Sequence, residues 1–130
     1  MDQVRAGSIS ISWYAECRLA VLCYEAPVSA TGKDLRPLLE ALTRWVGTEG
    51  QTFFLLNDCG PLISMDTEYR AGWRTFFRPH RDASWCALYN LSPVIQIVAE
   101  MFRVATGLHI GVFKTETAAR SWLQQKGCPP

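Results

Sequence analysis

Hydrophobic and polar residues alternate near the start of the chain, and this alternation predicts a β-hairpin. Residues 8–14 place polar and apolar side chains in turn, which is the period of a half-buried strand. Residues 18–24 form a second, mainly apolar run, and only residues 15–17 separate the two. Because so short a connection joins neighbouring antiparallel strands, we expect this pair to lie side by side in one sheet.

After a connector at residues 27–33, helical and strand-like patterns take turns to the end of the chain. Strands are predicted at residues 52–56, 84–89 and 109–113, and helices at residues 34–46, about 65–78, 93–107 and 115–127. The helical spacing of the third helix predicts one inward face, made of Val94, Ile97, Val98, Met101, Phe102 and Ala105. Strands separated by helices need crossover connections, which favour a parallel sheet.

These elements predict one α/β domain over residues 1–130, with no linker or repeat dividing it. Its order is ββαβαβαβα, and its single five-stranded sheet is mostly parallel with an antiparallel first pair. Hydrophobic residues make up 48% of the chain, enough for a core and too many for a disordered segment.

Charge and cysteine usage narrow the function. The formal net charge is +1, so no global field attracts nucleic acid. No apolar run approaches the roughly 20 residues of a membrane span, and the first residues do not resemble a signal peptide. The cysteines at 17, 23, 59, 86 and 128 lack metal-ligand or disulfide spacing. We therefore expect a cytoplasmic protein without metal or other cofactor.

The second predicted helix carries two kinds of side chain. Aromatic rings recur on one side, and arginines recur on another at positions 70, 74, 78 and 81. The arginines suit an acidic partner surface or a phosphate group. They equally suit the solvated face of an ordinary amphipathic helix, and the sequence leaves both interpretations open.

Polar residues follow the predicted strands at the edge where open α/β sheets bind ligands. They are Asn57, Asp58, Ser64, Asp66, Thr67, Asn90, Ser92 and Thr115. Helix capping explains Ser92 and Thr115 without any further role, and Asp66 or Ser64 can cap the second helix. The segment from Asp58 to Glu68 is long for a strand-to-helix connection, and such loops often carry function.

Catalysis has little support in the sequence. Cys59 with His80 or His109 would be the one candidate nucleophile and base, but no local motif accompanies them. Phosphate-binding loops and paired metal-ligand motifs are absent from the sequence. We expect a protein that is not an enzyme.

Three stretches resemble the STAS domain family, the anti-sigma-factor-antagonist fold, and in particular its divergent bacterial, sporulation-type branch. They are residues 54–67 (FLLNDCGPLISMDT), 88–98 (LYNLSPVIQIV) and 112–123 (VFKTETAARSWL). The resemblance implies a regulatory protein of bacterial signalling whose partner is another protein, such as a regulator or a kinase-like component. It also implies a phosphorylatable hydroxyl after Asp66, which is Thr67 here, beside the permanent charge of Glu68.

The resulting prediction is a non-catalytic regulatory or scaffold module. It binds a protein partner through the loop between the third strand and the second helix, and through that helix. The predicted contact residues are Asp58, Ser64, Asp66, Thr67, Glu68, Arg70, Trp73 and Arg74. The alternative is a carrier of a lipid or nucleotide, with a pocket beside the second helix. A large dry cavity there would favour the carrier, whereas a filled core would favour the partner-binding module.

Overall fold

A six-stranded mixed sheet organises the molecule. The computed structural model describes residues 1–47 and 50–130. Its strands are β1 (Asp2–Ala6), β2 (Ile9–Tyr14), β3 (Leu19–Tyr24), β4 (Val28–Ala30), β5 (Phe53–Asp58), β6 (Leu62–Met65), β7 (Ser84–Tyr89) and β8 (His109–Phe113). Its helices are α1 (Gly32–Val46), α2 (Thr67–Phe77), α3 (Pro93–Thr106) and α4 (Glu116–Gln125), and a 3₁₀ turn at Arg78–His80 follows α2.

The main sheet confirms the predicted α/β class. Its strand order is β1-β2-β3-β5-β7-β8. The first three strands are antiparallel, and β3, β5, β7 and β8 are parallel. β5 is buried on both faces, because its side chains point in turn to the two hydrophobic clusters of the protein.

The predicted number of five strands is wrong, because β1 adds a sixth at the edge. It pairs with β2 from Asp2↔Trp13 to Ala6↔Ile9, through a two-residue turn at residues 7 and 8. Gly7 has φ +60°, a left-handed conformation that glycine adopts without strain. Val4 and Ala6 pack partly against the core. The sequence therefore contained a signal for β1, namely a short alternation of polar and apolar residues before Gly7.

A second, two-stranded sheet corrects two predicted loops. β4 lies within the predicted connector at 27–33, and β6 lies within the predicted loop from Asp58 to Glu68. The two strands pair in parallel, with Val28 opposite Leu62 and Ala30 opposite Met65. The segment that leads into α2 is therefore held by backbone hydrogen bonds.

Helices cover both faces of the main sheet. The core on one face includes buried residues of α1, α2 and α3, such as Leu38, Tyr69 and Ile95. The core on the other face is completed by α4, through Ala119 and Leu123. Trp122, its neighbour, is half-buried and packs its ring 5.6 Å from that of Phe113.

The predicted inward face of α3 is wrong for most of its residues. Val94, Ile97 and Met101 are 66%, 62% and 66% exposed, and Val104 is 76% exposed. The helix instead buries Ile95 and Ala99. Apolar residues surround most of this helix, so the spacing alone could not decide which side meets the sheet. We call Val94, Ile97, Met101 and Val104 the α3 ridge.

Candidate partner-binding surface

The surface begins at the carboxyl end of β5, where Asp58 joins two neighbouring strands. Its Oδ1 accepts hydrogen bonds from the backbone N–H of Gly60 at 2.9 Å and from Asn90 Nδ2 at 3.3 Å. Asn90 follows β7 with φ +61°, a conformation that asparagine tolerates better than most residues. Asp58 is half-buried, so this carboxylate stabilises the edge and is still partly available to a partner.

Asp66 is a structural cap shared by two helices. Its Oδ1 accepts from the backbone N–H of Tyr69 at 2.7 Å, which caps α2. The same oxygen accepts from the backbone N–H of Gly32 at 3.1 Å, at the start of α1. A Cβ at Gly32 would collide with the Cβ of Glu68, so only glycine allows the two helix ends to approach this closely.

Thr67, at the first position of α2, presents an exposed hydroxyl. Ser64 and Glu68 are exposed beside it. Thr67 Oγ1 lies 3.4 Å from Arg70 Nη2, which donates to it, and Arg70 Nε donates to the backbone oxygen of Asp66 at 3.5 Å. A phosphate on Thr67 would therefore arise beside a guanidinium group.

The arginines within α2 and the one that follows its 3₁₀ turn differ in their pairing. Among the residues that the structure describes, Arg70 and Arg74 form no ion pair with a carboxylate, whereas Arg81 contacts Asp82 at 3.7 Å. Arg74 is exposed and Arg70 is half-buried. These two cations are consequently free to meet an acidic partner.

Trp73 does not belong to the exposed surface. It is only 8% exposed, and its ring stacks 5.6 Å from Phe77 and meets Tyr69 edge-on at 6.3 Å. Its place among the predicted contact residues is corrected on this ground, because the aromatic side of α2 faces the core. Ser92 and Thr115 act as helix caps, accepting from Ile95 N at 3.3 Å and Ala118 N at 3.2 Å.

An apolar surface beside these residues was missed in the sequence. In residues 1–47 and 50–130, seven large hydrophobic side chains are exposed, and five of them are Ile63 and the four residues of the α3 ridge. Ile63 is 60% exposed on β6, which lies next to α3. Clustered exposure of this kind marks interaction sites, whereas scattered exposure does not. The α3 ridge has spacings of three, four and three residues, which the sequence displays but does not assign to solvent.

A cavity of about 90 Å³ lies between α2, α3 and the sheet. Its walls are mainly apolar, with Tyr69 and Trp73 from α2, Ile95 and Ala99 from α3, and Leu55 from the sheet. This volume is well below the roughly 300–1,000 Å³ of pockets that enclose drug-sized ligands. The space therefore does not favour the predicted carrier of a lipid or nucleotide.

The candidate thiol nucleophile lacks the surroundings that such chemistry needs. Burial, with Asp58 nearby, raises the pKa of Cys59 to about 12, so the thiol is protonated at neutral pH. His80 packs against Phe53 at the start of β5, whereas Cys59 follows the end of that strand. His109 stacks on Trp85 at the starts of β8 and β7. Both histidines thus lie at the amino ends of the parallel strands, whereas Cys59 lies at their carboxyl ends.

Metal-binding clusters and membrane-spanning helices are both absent from the described part of the chain. No group of three or more His, Cys, Asp or Glu residues there is arranged to hold a metal ion. No helix within 1–47 or 50–130 is long and apolar enough to cross a bilayer.

Comparison with known proteins identifies the fold. No protein-family model and no curated protein matches the sequence. An anti-sigma-factor antagonist (STAS) domain protein from Planctomyces limnophilus superposes with a TM-score of 0.65 at 12% identity, over 89% of this chain and 97% of that chain. A candidate anti-sigma factor antagonist from Thermotoga maritima gives 0.60 at 9% identity, over 88% and 92%.

A third solved structure agrees with these two. It is an uncharacterized protein of the DUF3478 family with a SpoIIAA-like fold from Shewanella loihica, with a TM-score of 0.62 at 15% identity, over 88% of this chain and 91% of that chain. At such identities the likeness concerns the fold. The chain has the STAS, or anti-sigma-factor-antagonist, fold, as the three sequence stretches predicted.

Proposed function

We propose that the protein is a non-catalytic regulatory or scaffold module that binds a protein partner in the cytoplasm. The contact surface comprises the segment from Asp58 to Glu68, Arg70 and Arg74 of α2, and the α3 ridge. The fold is that of anti-sigma-factor antagonists, which supports a regulatory interaction. The free thiols of all five cysteines suit a reducing compartment.

The observation that carries this proposal is apolar exposure on β6 and α3 together with unpaired charge on α2. Ile63 and the α3 ridge expose apolar side chains, and water hydrates such surface poorly. Arg70 and Arg74 have no carboxylate partner among the described residues, and Thr67 and Glu68 adjoin them. An apolar centre with a charged rim is the usual composition of a protein interface.

The alternative of a lipid or nucleotide carrier has less support. The cavity of about 90 Å³ is too small to enclose either ligand. An aromatic layer lies between α2 and the sheet: Phe77 stacks on Trp73 and on Phe53, and Phe76 meets all three rings edge-on.

The test compares partner recovery by surface variants of the tagged protein in extracts of the native host. Arg70→Glu/Arg74→Glu and Ile97→Asp/Met101→Asp should each lower recovery of the same partner by about tenfold or more, because they reverse rim charge and add charge to the apolar centre. Lys114→Glu/Lys126→Glu makes the same charge change at exposed residues near α4 and should leave recovery unchanged.

Circular dichroism and thermal melting establish that every variant is folded. If the folded α2 and α3 variants recover the same partners as the wild type, this surface is not the interface. If the Lys114→Glu/Lys126→Glu control loses recovery equally, the effect is one of net charge, and the proposed location is wrong.

A further inference from the structure

The cavity between α2, α3 and the sheet contains one polar side chain with a hydrogen-bonding atom that the fold leaves unpaired. Strand alternation turns Asn57 of β5 to the same side as Phe53 and Leu55, into the cavity. Asn57 is 6% exposed. Its Nδ2 donates to Tyr24 Oη at 3.4 Å, whereas its Oδ1 has no hydrogen-bond partner among the described residues. Buried polar atoms in native proteins are nearly always paired, so this oxygen needs an explanation.

The groups around Asn57 are uncharged. Tyr24 and Tyr69 share a hydrogen bond of 2.7 Å between their hydroxyl oxygens, in which either can be the donor. Burial raises the pKa of Tyr69 to about 12 and that of Tyr24 well above its usual value. Both phenols and the Cys59 thiol therefore stay neutral. An ionised ligand group would find no compensating charge at this end of the cavity, so a bound group there must be neutral.

The rest of the cavity selects for an apolar body. Leu22, Leu55, Ile95 and Ala99 are buried in its walls. Met65 and Arg70 are half-exposed lining residues, and Arg70 is the single charged side chain in the lining. Arg70 already bonds to Thr67 and Asp66 outside the cavity. A volume of about 90 Å³ is less than the roughly 150 Å³ of an apolar cavity that takes up benzene.

We propose that this cavity is a binding site for a small, neutral molecule with a short apolar body and one hydroxyl group, which bonds to the Asn57 side chain. A hydroxyl can both donate and accept a hydrogen bond. It can therefore pair with the free atom of the Asn57 amide whether that atom is the oxygen or, after a flip of the side chain, the nitrogen. The apolar body lies between Ile95, Ala99 and the sheet, and it extends towards Met65. This site is separate from the partner-binding surface, although Arg70 adjoins both.

The test uses 1-butanol as the probe and 1-chlorobutane as a control of similar shape without a donor. Binding is followed by NMR chemical shifts of the backbone amides and of the Asn57 side-chain amide. We expect saturable binding of 1-butanol with a dissociation constant on the order of millimolar, and a shift of the Asn57 side-chain resonances. 1-Chlorobutane should bind about two- to tenfold more weakly and leave those resonances in place.

Substitutions of residues that line the cavity show whether 1-butanol binds there. Ala99→Leu fills the cavity from α3 and should abolish binding, whereas Val104→Leu, on the exposed side of the same helix, should not change it. Should Ala99→Leu not fold, Val98→Phe, at a half-exposed lining position, blocks the same space. Asn57→Leu should make the two probes bind equally.

Four results would overturn the proposal. One is the absence of saturable shifts at cavity residues in the wild type. A second is equal binding of both probes with no change at Asn57, because the hydroxyl would then have no role. The third is undiminished binding in the folded Ala99→Leu or Val98→Phe protein, which would locate the molecule elsewhere. If 1-butanol leaves the Asn57 resonances unchanged because a bound water keeps that bond, the cavity is only a hydration site, and the proposal fails.

Discussion

Thr67 is the residue at which we expect the proposed partner binding to be regulated. Phosphorylation would add about 1.5–2 negative charges at the first position of α2, within reach of Arg70. The favourable helix dipole and the guanidinium would hold that phosphate, and Arg70 would leave the rim of the interface. We expect phosphorylated protein to bind its partner about tenfold more weakly, which is about 1.4 kcal/mol, as measured by titration calorimetry.

The variants for this experiment are matched in exposure. Thr67→Ala should bind like the unmodified wild type and lose the response to kinase treatment, whereas Ser64→Ala, which is also exposed, should keep it. Equal affinities of the phosphorylated and unmodified proteins would show that Thr67 is not a switch.

Individual residues differ in how far the sequence alone defines their roles. Ser92 and Thr115 are caps, as their position before helical patterns predicted. Asp66 is a cap as well, but its second bond, to Gly32, joins residues 34 positions apart and has no local signal. Trp73 was predicted to be a contact residue together with Arg70 and Arg74, yet its ring packs among aromatic neighbours whose placement only the fold determines.

At the scale of elements, α4 should depend more on Leu123 than on Trp122. Leu123 is 2% exposed, and Trp122 is half-buried. Leu123→Ala should lower the free energy of unfolding by about 2–5 kcal/mol, because it leaves a cavity in the core around β5 and β7. Trp122→Ala should cost about 1–2 kcal/mol, less than the 3–5 kcal/mol typical of a fully buried aromatic ring.

Denaturant unfolding measures both values, with Gln124→Ala, an exposed position of the same helix, as the control. A larger loss for Trp122→Ala than for Leu123→Ala would mean that α4 is anchored through its aromatic side.

Elements with one apolar side were predictable, and those without one were not. α1 shows a clear stripe, and its buried residues Leu35, Leu38 and Leu42 have helical spacing. α3 is apolar on several sides, so its pattern could not distinguish the core from the ridge. β4 and β6 are three and four residues long, and pairing between distant short segments leaves almost no trace in the sequence.

For the whole molecule, thiol reactivity should report the order of burial. Cys23 is exposed and Cys17 is half-exposed, whereas Cys59, Cys86 and Cys128 are 2%, 3% and 6% exposed. An aromatic disulfide reagent should therefore modify Cys23 first and Cys17 more slowly, and the other three only after unfolding. Partial desolvation of the sulfur, with Asp58 as a second cause, raises the pKa of Cys23, so its rate should increase with pH above neutrality as thiolate forms.

The totals are counted spectroscopically in native and denatured protein, with Cys23→Ser as the control that removes the fast phase. Rapid modification of four or five thiols in native protein would show that the cores open readily. A total below five after unfolding would show a covalent link between cysteines.

The carboxylate that caps both α1 and α2 has a mechanical consequence. One oxygen of Asp66 accepts hydrogen bonds from the first turns of two helices. Rotation of either helix about its N-terminus would therefore strain the hydrogen bond to the other. When a partner binds, the two helices should consequently move together as one rigid unit. Strain that arises where a partner binds α2 would therefore be transmitted to α1 as well.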